Sequence, residues 1–194
     1  MTTDPPRVHF LVPGHPSPRA LLPGSFNPLH HGHVALAHAA AARLGVGVAF
    51  ELSVRNVDKP DLDAAEVDRR VAQFTDVGPV WVTRAATFAE KAELFPGAAF
   101  VVGYDTAARL VDARYYGNDA GLRDAALARL AALGCRVVVG GRLDAAGAFR
   151  TWGAAAGPFP ELFVALAEAD FRTDVSSTAL RAELFTAARG GTVG

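Results

Sequence analysis

The string Gly24-Ser25-Phe26-Asn27-Pro28-Leu29-His30-His31-Gly32-His33 concentrates more chemical potential than its neighbours. A glycine, a serine and two imidazoles, His30 and His33, stand where an apolar stretch hands over to an alanine-rich one, the signature of a strand running into a helix N-terminus. A helix start presents unpaired backbone N–H groups and about half a positive charge, and glycine lets a phosphate come close to the backbone. His30 and His33 span the last loop residues and the first helical turn, so both rings can face an anion there. Imidazole donates a hydrogen bond to a phosphate oxygen and, when protonated, also neutralises charge. Phosphoryl-type transfer needs mainly such positioning and charge stabilisation. His31 and His38 do not share the special positions and read as exposed or packed. Zinc would need three or four ligands at recognisable spacings. His30, His31, His33 and His38 leave only His9 and His15 elsewhere, and Cys135 is the single cysteine, so no metal site is expected.

A second cluster, Ser176-Ser177-Thr178-Ala179-Leu180-Arg181, opens the last predicted helix. Serines and threonines before a helix usually do no more than cap it. Arg181 changes the reading, because the helix dipole disfavours a cation at that end unless an anion sits between them. Two phosphate-binding helix starts, remote in sequence, suggest a nucleoside triphosphate held between them.

The elements that must position these clusters follow from periodicity and stop signals. Strands are expected at 8–12, 19–22, 46–52, 80–82, 98–102 and 136–139, with 171–175 extended. Helices are expected at 33–44, at 63–74 and from Thr87 to before Pro96, the last with Thr87 and Glu90 as a capping box. Asp105 is expected to cap the next helix. Residues 119–133 form another, with Leu122, Ala126, Leu130 and Leu133 inward, and 160–169 and 180–188 complete the helices. Strands alternating with helices imply an α/β, Rossmann-like domain, a parallel sheet covered on both faces. The whole of 1–194 reads as one domain, with 1–18 as an N-terminal extension. In such sheets ligands bind beyond the carboxyl ends of the strands, where strand order reverses. Each cluster follows a predicted strand.

Bulk composition narrows the partners. A length of 194 residues, 51% of them apolar, suits one packed domain. A net charge of −1 argues against a broad basic face for nucleic acid, while leaving room for a local site for a small phosphorylated ligand. The lone cysteine fits a reducing compartment, and no apolar run approaches the ~20 residues of a membrane span. The N-terminus lacks the apolar centre of a signal peptide, so a cytoplasmic protein is expected.

His30-His31-Gly32-His33 and Val175-Ser176-Ser177-Thr178-Ala179-Leu180-Arg181 resemble the (H/T)xGH and (I/V)SSTxxR motifs of a nucleotidyltransferase superfamily. Histidine at position 30 looks more like the nicotinamide mononucleotide adenylyltransferases than the pantetheine-phosphate adenylyltransferases, and Asn27 stands where many bacterial members have aspartate. The middle of the chain, Phe50-Glu51-Leu52-Ser53-Val54-Arg55-Asn56-Val57-Asp58-Lys59-Pro60, then Glu90-Lys91-Ala92 and Gly103-Tyr104-Asp105-Thr106-Ala107-Ala108-Arg109, is similar to a cytidylyltransferase-like or nicotinamide-nucleotide adenylyltransferase-like branch. The resemblance covers about residues 20 to 187. It implies transfer of AMP from ATP to a nicotinamide or nicotinic acid mononucleotide, a step of NAD biosynthesis, with release of pyrophosphate. The alternatives are a cytidylyltransferase using CTP, a pantetheine-phosphate adenylyltransferase-like enzyme, or a nucleotide-binding regulator that has lost turnover.

On this resemblance His30 and His33 contact the triphosphate and stabilise the five-coordinate α-phosphorus, while Gly24, Ser25, Phe26 and Asn27 line the phosphates. Ser176, Ser177, Thr178 and Arg181 hold the departing pyrophosphate. Gly103 and Asp105 receive the ribose, and Mg²⁺ bridges the phosphates. Asn56 and Lys59 are candidates for the second substrate. Lys91 and Arg142, lone basic residues on a helix and a turn, read as solvent-facing. A homo-oligomer is compatible with all of this.

Overall fold

Apolar side chains alternate between the two faces of each strand, and different helices seal the two sets. The computed structural model describes residues 8–10, 17–55, 57, 60–144, 146–153 and 157–172. The chain runs through β1 (Val8–Phe10), β2 (Ala20–Pro23), α1 (His31–Leu44), β3 (Ala49–Ser53), α2 (Ala64–Val71), β4 (Val80–Thr83) and α3 (Phe88–Leu94). It continues through β5 (Ala99–Gly103), α4 (Tyr104–Leu110), α5 (Ala120–Ala132), β6 (Arg136–Gly140), β7 (Arg142–Leu143), β8 (Phe149–Arg150) and β9 (Phe163–Ala165). Short 3-10 turns lie at Ala72–Phe74, Ala113–Tyr116 and Pro160–Leu162.

Seven strands form one sheet in the order β1-β4-β3-β2-β5-β6-β9, and β7 pairs with β8 in a separate hairpin. From β4 to β9 the neighbours are parallel, and β1 adds an antiparallel edge beside β4. Part of the expected N-terminal extension is therefore built into the sheet. Leu21, Trp81, Phe100, Val137 and Val139 pack under Ala92 of α3, Ala107 of α4, and Leu127 and Leu130 of α5. On the other face Leu22, Phe50, Leu52, Val101 and Val138 meet Leu36, Ala37 and Ala40 of α1, with Val67 and Val71 of α2. Burial on both faces is why the strands read as continuous valine-rich runs. From β2 the chain steps through β3 to β4 on one side, then returns to lay β5, β6 and β9 on the other. The order reverses between β2 and β5, the Rossmann-like switch point where a ligand is expected.

Local signals place most elements. Thr87 and Glu90 form the expected capping box at α3, and Asp63 caps α2 by accepting from the Glu66 N–H at 2.8 Å. Three expectations need correction. Residues 160–169 are not a helix: Pro160 opens only a 3-10 turn, and Phe163–Ala165 becomes β9 by pairing with Val137–Val139. A free edge of β6 offers those backbone groups partners that local propensity does not reveal. Asp105 is not a cap; Gly103 is the N-cap of α4 and Asp105 lies in the first turn. On α5 the expected Leu130 and Leu133 do meet the core, but Leu127 joins them and Leu122 is 59% exposed. The expected final helix at 180–188 lies outside the described residues.

Candidate active site

The site grows from the carboxyl end of β2. The Gly24 N–H donates to the Glu51 carbonyl at 2.9 Å, prolonging the β2–β3 ladder by one step. A Cβ on Gly24 would stand 2.8 Å from carbons of the Phe26 ring, so glycine is required where that ring folds back. Phe26 itself is fully buried and left-handed, with φ of 44°. Its ring meets Phe50, Phe74 and His33 edge-on, at centroid distances of 5.7, 4.9 and 5.1 Å. Only the backbone of Phe26 is therefore available to line a ligand; the side chain is a core anchor that also shapes the site.

His30 is the N-cap of α1, with extended backbone at φ −142° and ψ 166°, so the helix begins at His31 rather than His33. The His30 and His33 rings stack at 3.7 Å with 22° between their planes, which brings both imidazoles to the helix start. The His30 N–H donates to His33 Nδ1 at 3.3 Å. An accepting Nδ1 leaves the ring proton on Nε2, so His33 offers an N–H donor. Burial, followed by repulsion from His30, lowers the His33 pKa from its ordinary 6.5 to about 4. The sequence left open whether these imidazoles carry charge; at neutral pH His33 is an uncharged donor. His31 and His38 are exposed.

This depression predicts a pH dependence of folding. Between pH 6.5 and about 4 the unfolded chain binds a proton at this position that the native state refuses. Stability is therefore complete above 6.5 and falls as pH drops toward 4, by roughly 2–3 kcal/mol from this group. Urea titrations at pH 7.5 and pH 4 should show the loss in the wild type and a smaller one in His33→Asn. An identical pH slope in the two proteins would place the depression elsewhere.

The neighbouring strand end, β5, supplies the second wall. Gly103 pairs with Gly140 of β6, and a Cβ built on Gly103 meets nothing within 4 Å. Space thus stands open above it. Asp105 reaches across to Arg142 of β7 at 2.7 Å, with side chains 61% and 46% exposed. An exposed pair of this kind contributes little, about 0–1 kcal/mol, and can be exchanged for other partners. Arg142 is half-exposed, near the surface as expected, but tied to the candidate ribose carboxylate.

The structure brings Gly24, Ser25, Phe26, Asn27, His30 and His33 together on the β2–α1 connection, beside Gly103 and Asp105 after β5. Asn56, Lys59, Ser176, Ser177, Thr178 and Arg181 lie outside the described residues. Asn27 Oδ1 accepts from Arg69 of α2 at 2.9 Å. The largest departure from the sequence reading is Lys91. It is buried, 5% exposed, and paired with a fully buried Glu51 at 2.9 Å, behind the same strand ends. Its place on an amphipathic helix gave no sign of this.

A hollow of about 560 Å³ beside Trp152, Leu166 and Glu168 opens near the end of β9. A smaller apolar one, about 190 Å³, lies between Phe88, Leu110, Tyr116 and Leu127. Neither of these two hollows is lined by the histidines. Among the described residues no three His, Cys, Asp or Glu side chains cluster as metal ligands, and no helix is long and apolar enough to cross a membrane.

No curated protein matches the chain. The model of one protein family does, over residues 21–183, the greater part of the chain. That span takes in β2 from its second residue through β9, with the strand reversal, and it carries both ends of the motif pair read from the sequence. An α/β sheet with imidazoles at the helix start after its switch-point strand is thus the fold of a nucleotidyltransferase, and the chain belongs to the cytidylyltransferase-like family of that superfamily.

Proposed function

We propose that this protein transfers AMP from ATP to the 5′-phosphate of a nicotinamide or nicotinic acid mononucleotide-type acceptor, releasing pyrophosphate. The observation that carries the reading is the stacked His30–His33 pair at the start of α1, beside the sheet's switch point. An acceptor phosphate oxygen attacks the α-phosphorus, a new P–O bond forms, and the bond to the bridging oxygen of pyrophosphate breaks. The attacking phosphate is already an anion, so no general base is needed. His33, a neutral donor, stabilises charge on the α-phosphate, and His30 shares the same helix start. Ser176, Ser177, Thr178 and Arg181 take the β- and γ-phosphates, Gly103 and Asp105 the ribose, and Asn56 and Lys59 the acceptor.

Around the His30–His33 pair the described site offers N–H donors and imidazoles, groups that suit phosphate rather than a hard cation, and the Asp105 carboxylate is paired with Arg142. Mg²⁺ would accordingly arrive on the triphosphate oxygens and neutralise part of their charge. A second reading, with CTP as donor, is equally compatible with the family.

Incubating the purified protein with ATP or CTP and a panel of phosphorylated acceptors, and following pyrophosphate release, tests these readings. Turnover with ATP and a nicotinamide-type mononucleotide supports the proposal, and turnover with CTP alone replaces the donor. Nucleotide binding without turnover would mark a regulator.

Gly103→Ala probes the ribose contact without disturbing the fold, because the added methyl meets no protein atom within 4 Å. Thermal unfolding should show a loss of no more than about 0.5–1 kcal/mol, the cost of alanine at an N-cap. Nucleotide affinity should fall at least about tenfold, or about 1.4 kcal/mol, as the methyl takes space the sugar needs. Unchanged affinity in calorimetry would remove Gly103 from the site.

A further inference from the structure

The loop between β2 and α1 is held from outside by α2 and the turn that follows it. Arg70 Nη1 donates to the Ser25 carbonyl at 2.8 Å, and Gln73 Nε2 donates to the Phe26 carbonyl at 3.0 Å. The same Gln73 accepts, through Oε1, from the Leu29 N–H at 2.9 Å. One amide thus closes a ring over Phe26 to Leu29, giving a proton at one end and taking one at the other. Glutamate cannot do this, since an ionised carboxylate only accepts. Arg70 is itself fixed: it is buried, and its Nε and Nη2 both bind Glu66 Oε1, at 2.8 and 2.7 Å.

The consequences reach the reactive groups by two routes. C=O and N–H of a trans peptide point in opposite directions. With the Ser25 and Phe26 carbonyls drawn to α2, the N–H groups of Phe26 and Asn27 face away from it. Successive N–H groups around a left-handed residue, as Phe26 is at φ 44°, form the concave donor sets that hold anions. The second route is the Phe26 ring, which sits edge-on against His33 at 5.1 Å. A left-handed phenylalanine persists only where its surroundings over-determine it, and Arg70 and Gln73 supply that constraint.

We propose that Arg70 and Gln73 are positioning residues: they orient the Phe26 and Asn27 N–H groups toward the phosphates of a nucleotide and, through Phe26, fix the His33 imidazole. The phosphate half of this rests on the transfer reading above, whereas the His33 half does not.

The test compares Gln73→Leu, Gln73→Glu and Arg70→Lys with Val71→Ala, which weakens α2 packing in the shared cluster while keeping every hydrogen bond to the loop. Three readouts are taken: thermal unfolding, calorimetric binding of ATP, CTP and inorganic pyrophosphate, and ¹⁵N shifts of the His33 imidazole in unliganded protein. Gln73→Leu should lose at least tenfold in triphosphate affinity and shift the His33 nitrogens, and Gln73→Glu should not rescue either. Arg70→Lys, keeping charge but not the double attachment, should lose affinity by a smaller factor. Val71→Ala should lower the melting temperature as much while leaving affinity and His33 shifts near wild type. Unmoved His33 shifts in Gln73→Leu, or losses that merely follow the melting temperature across all four variants, overturn the proposal. If the wild type binds none of the three ligands, the transfer reading fails, and the His33 shifts alone decide the positioning role.

Discussion

His33→Ala is expected to lower turnover roughly 10²–10³-fold, the usual cost of removing one preorganised donor aimed at developing negative charge. The Nε2–H of His33 is such a donor, because its Nδ1 is occupied by the His30 N–H and its pKa of about 4 keeps it neutral. Affinity for the triphosphate should fall far less, since charge builds at the α-phosphate mainly in the transition state. Pyrophosphate release under saturating substrates gives the first quantity and calorimetry the second. The profile against pH separates this account from an ionic one. A neutral donor with pKa about 4 keeps turnover level from about pH 5.5 to 8, whereas a required imidazolium would lose it through 6.5. Thermal unfolding of the variant controls for the lost packing of the His33 ring on Phe26. Wild-type turnover in His33→Ala would remove this residue from the mechanism.

The junction that brings His30 and His33 together was legible because everything it needs is local: a strand end, a turn and a helix start within one string of sequence. The same holds for the capping box at α3 and for the strands buried on both faces, whose signals are short-range. What the sequence could not display is contact between distant segments. Gln73 reaches Phe26 across 47 residues and Arg70 reaches Ser25 across 45. From the sequence those side chains were merely polar positions on an amphipathic helix. β9 was hidden for the same reason, because Phe163–Ala165 becomes a strand only by pairing with Val137–Val139. On α5 Leu130 and Leu133 meet the core as expected, whereas Leu122 is exposed and Leu127 takes the inner position instead, because equal helical spacing alone does not choose between two leucines one turn and a half apart. Asp105 was placed at the right strand end, but it does not cap α4; Gly103 holds the N-cap position in its stead.

Lys91→Met should be among the most destabilising single changes in this protein. Lys91 Nζ lies 2.9 and 3.0 Å from the two Glu51 oxygens and donates to the Ala85 carbonyl at 2.7 Å. The Thr83 hydroxyl donates to the same carboxylate and accepts from the Ala85 N–H, so every charged or polar group there depends on the others. Removing the ammonium leaves a fully buried carboxylate without its counter-charge, which costs about 3–5 kcal/mol. A domain with a total stability of 5–15 kcal/mol would lose much of its margin. Pairing the change with Glu51→Leu removes the stranded charge as well, so the double variant should be more stable than Lys91→Met alone despite carrying two substitutions. Urea midpoints at constant slope measure both quantities. A loss below about 0.5 kcal/mol in Lys91→Met would show that the carboxylate is compensated by something other than the ammonium. The effect should reach the site too. The Glu51 carbonyl receives the Gly24 N–H, so the strand end on which the β2–α1 loop begins is set by a residue whose side chain is locked to Lys91. In Lys91→Met, triphosphate affinity should therefore weaken even at temperatures where the variant is fully folded, and in the double variant it should return toward wild type.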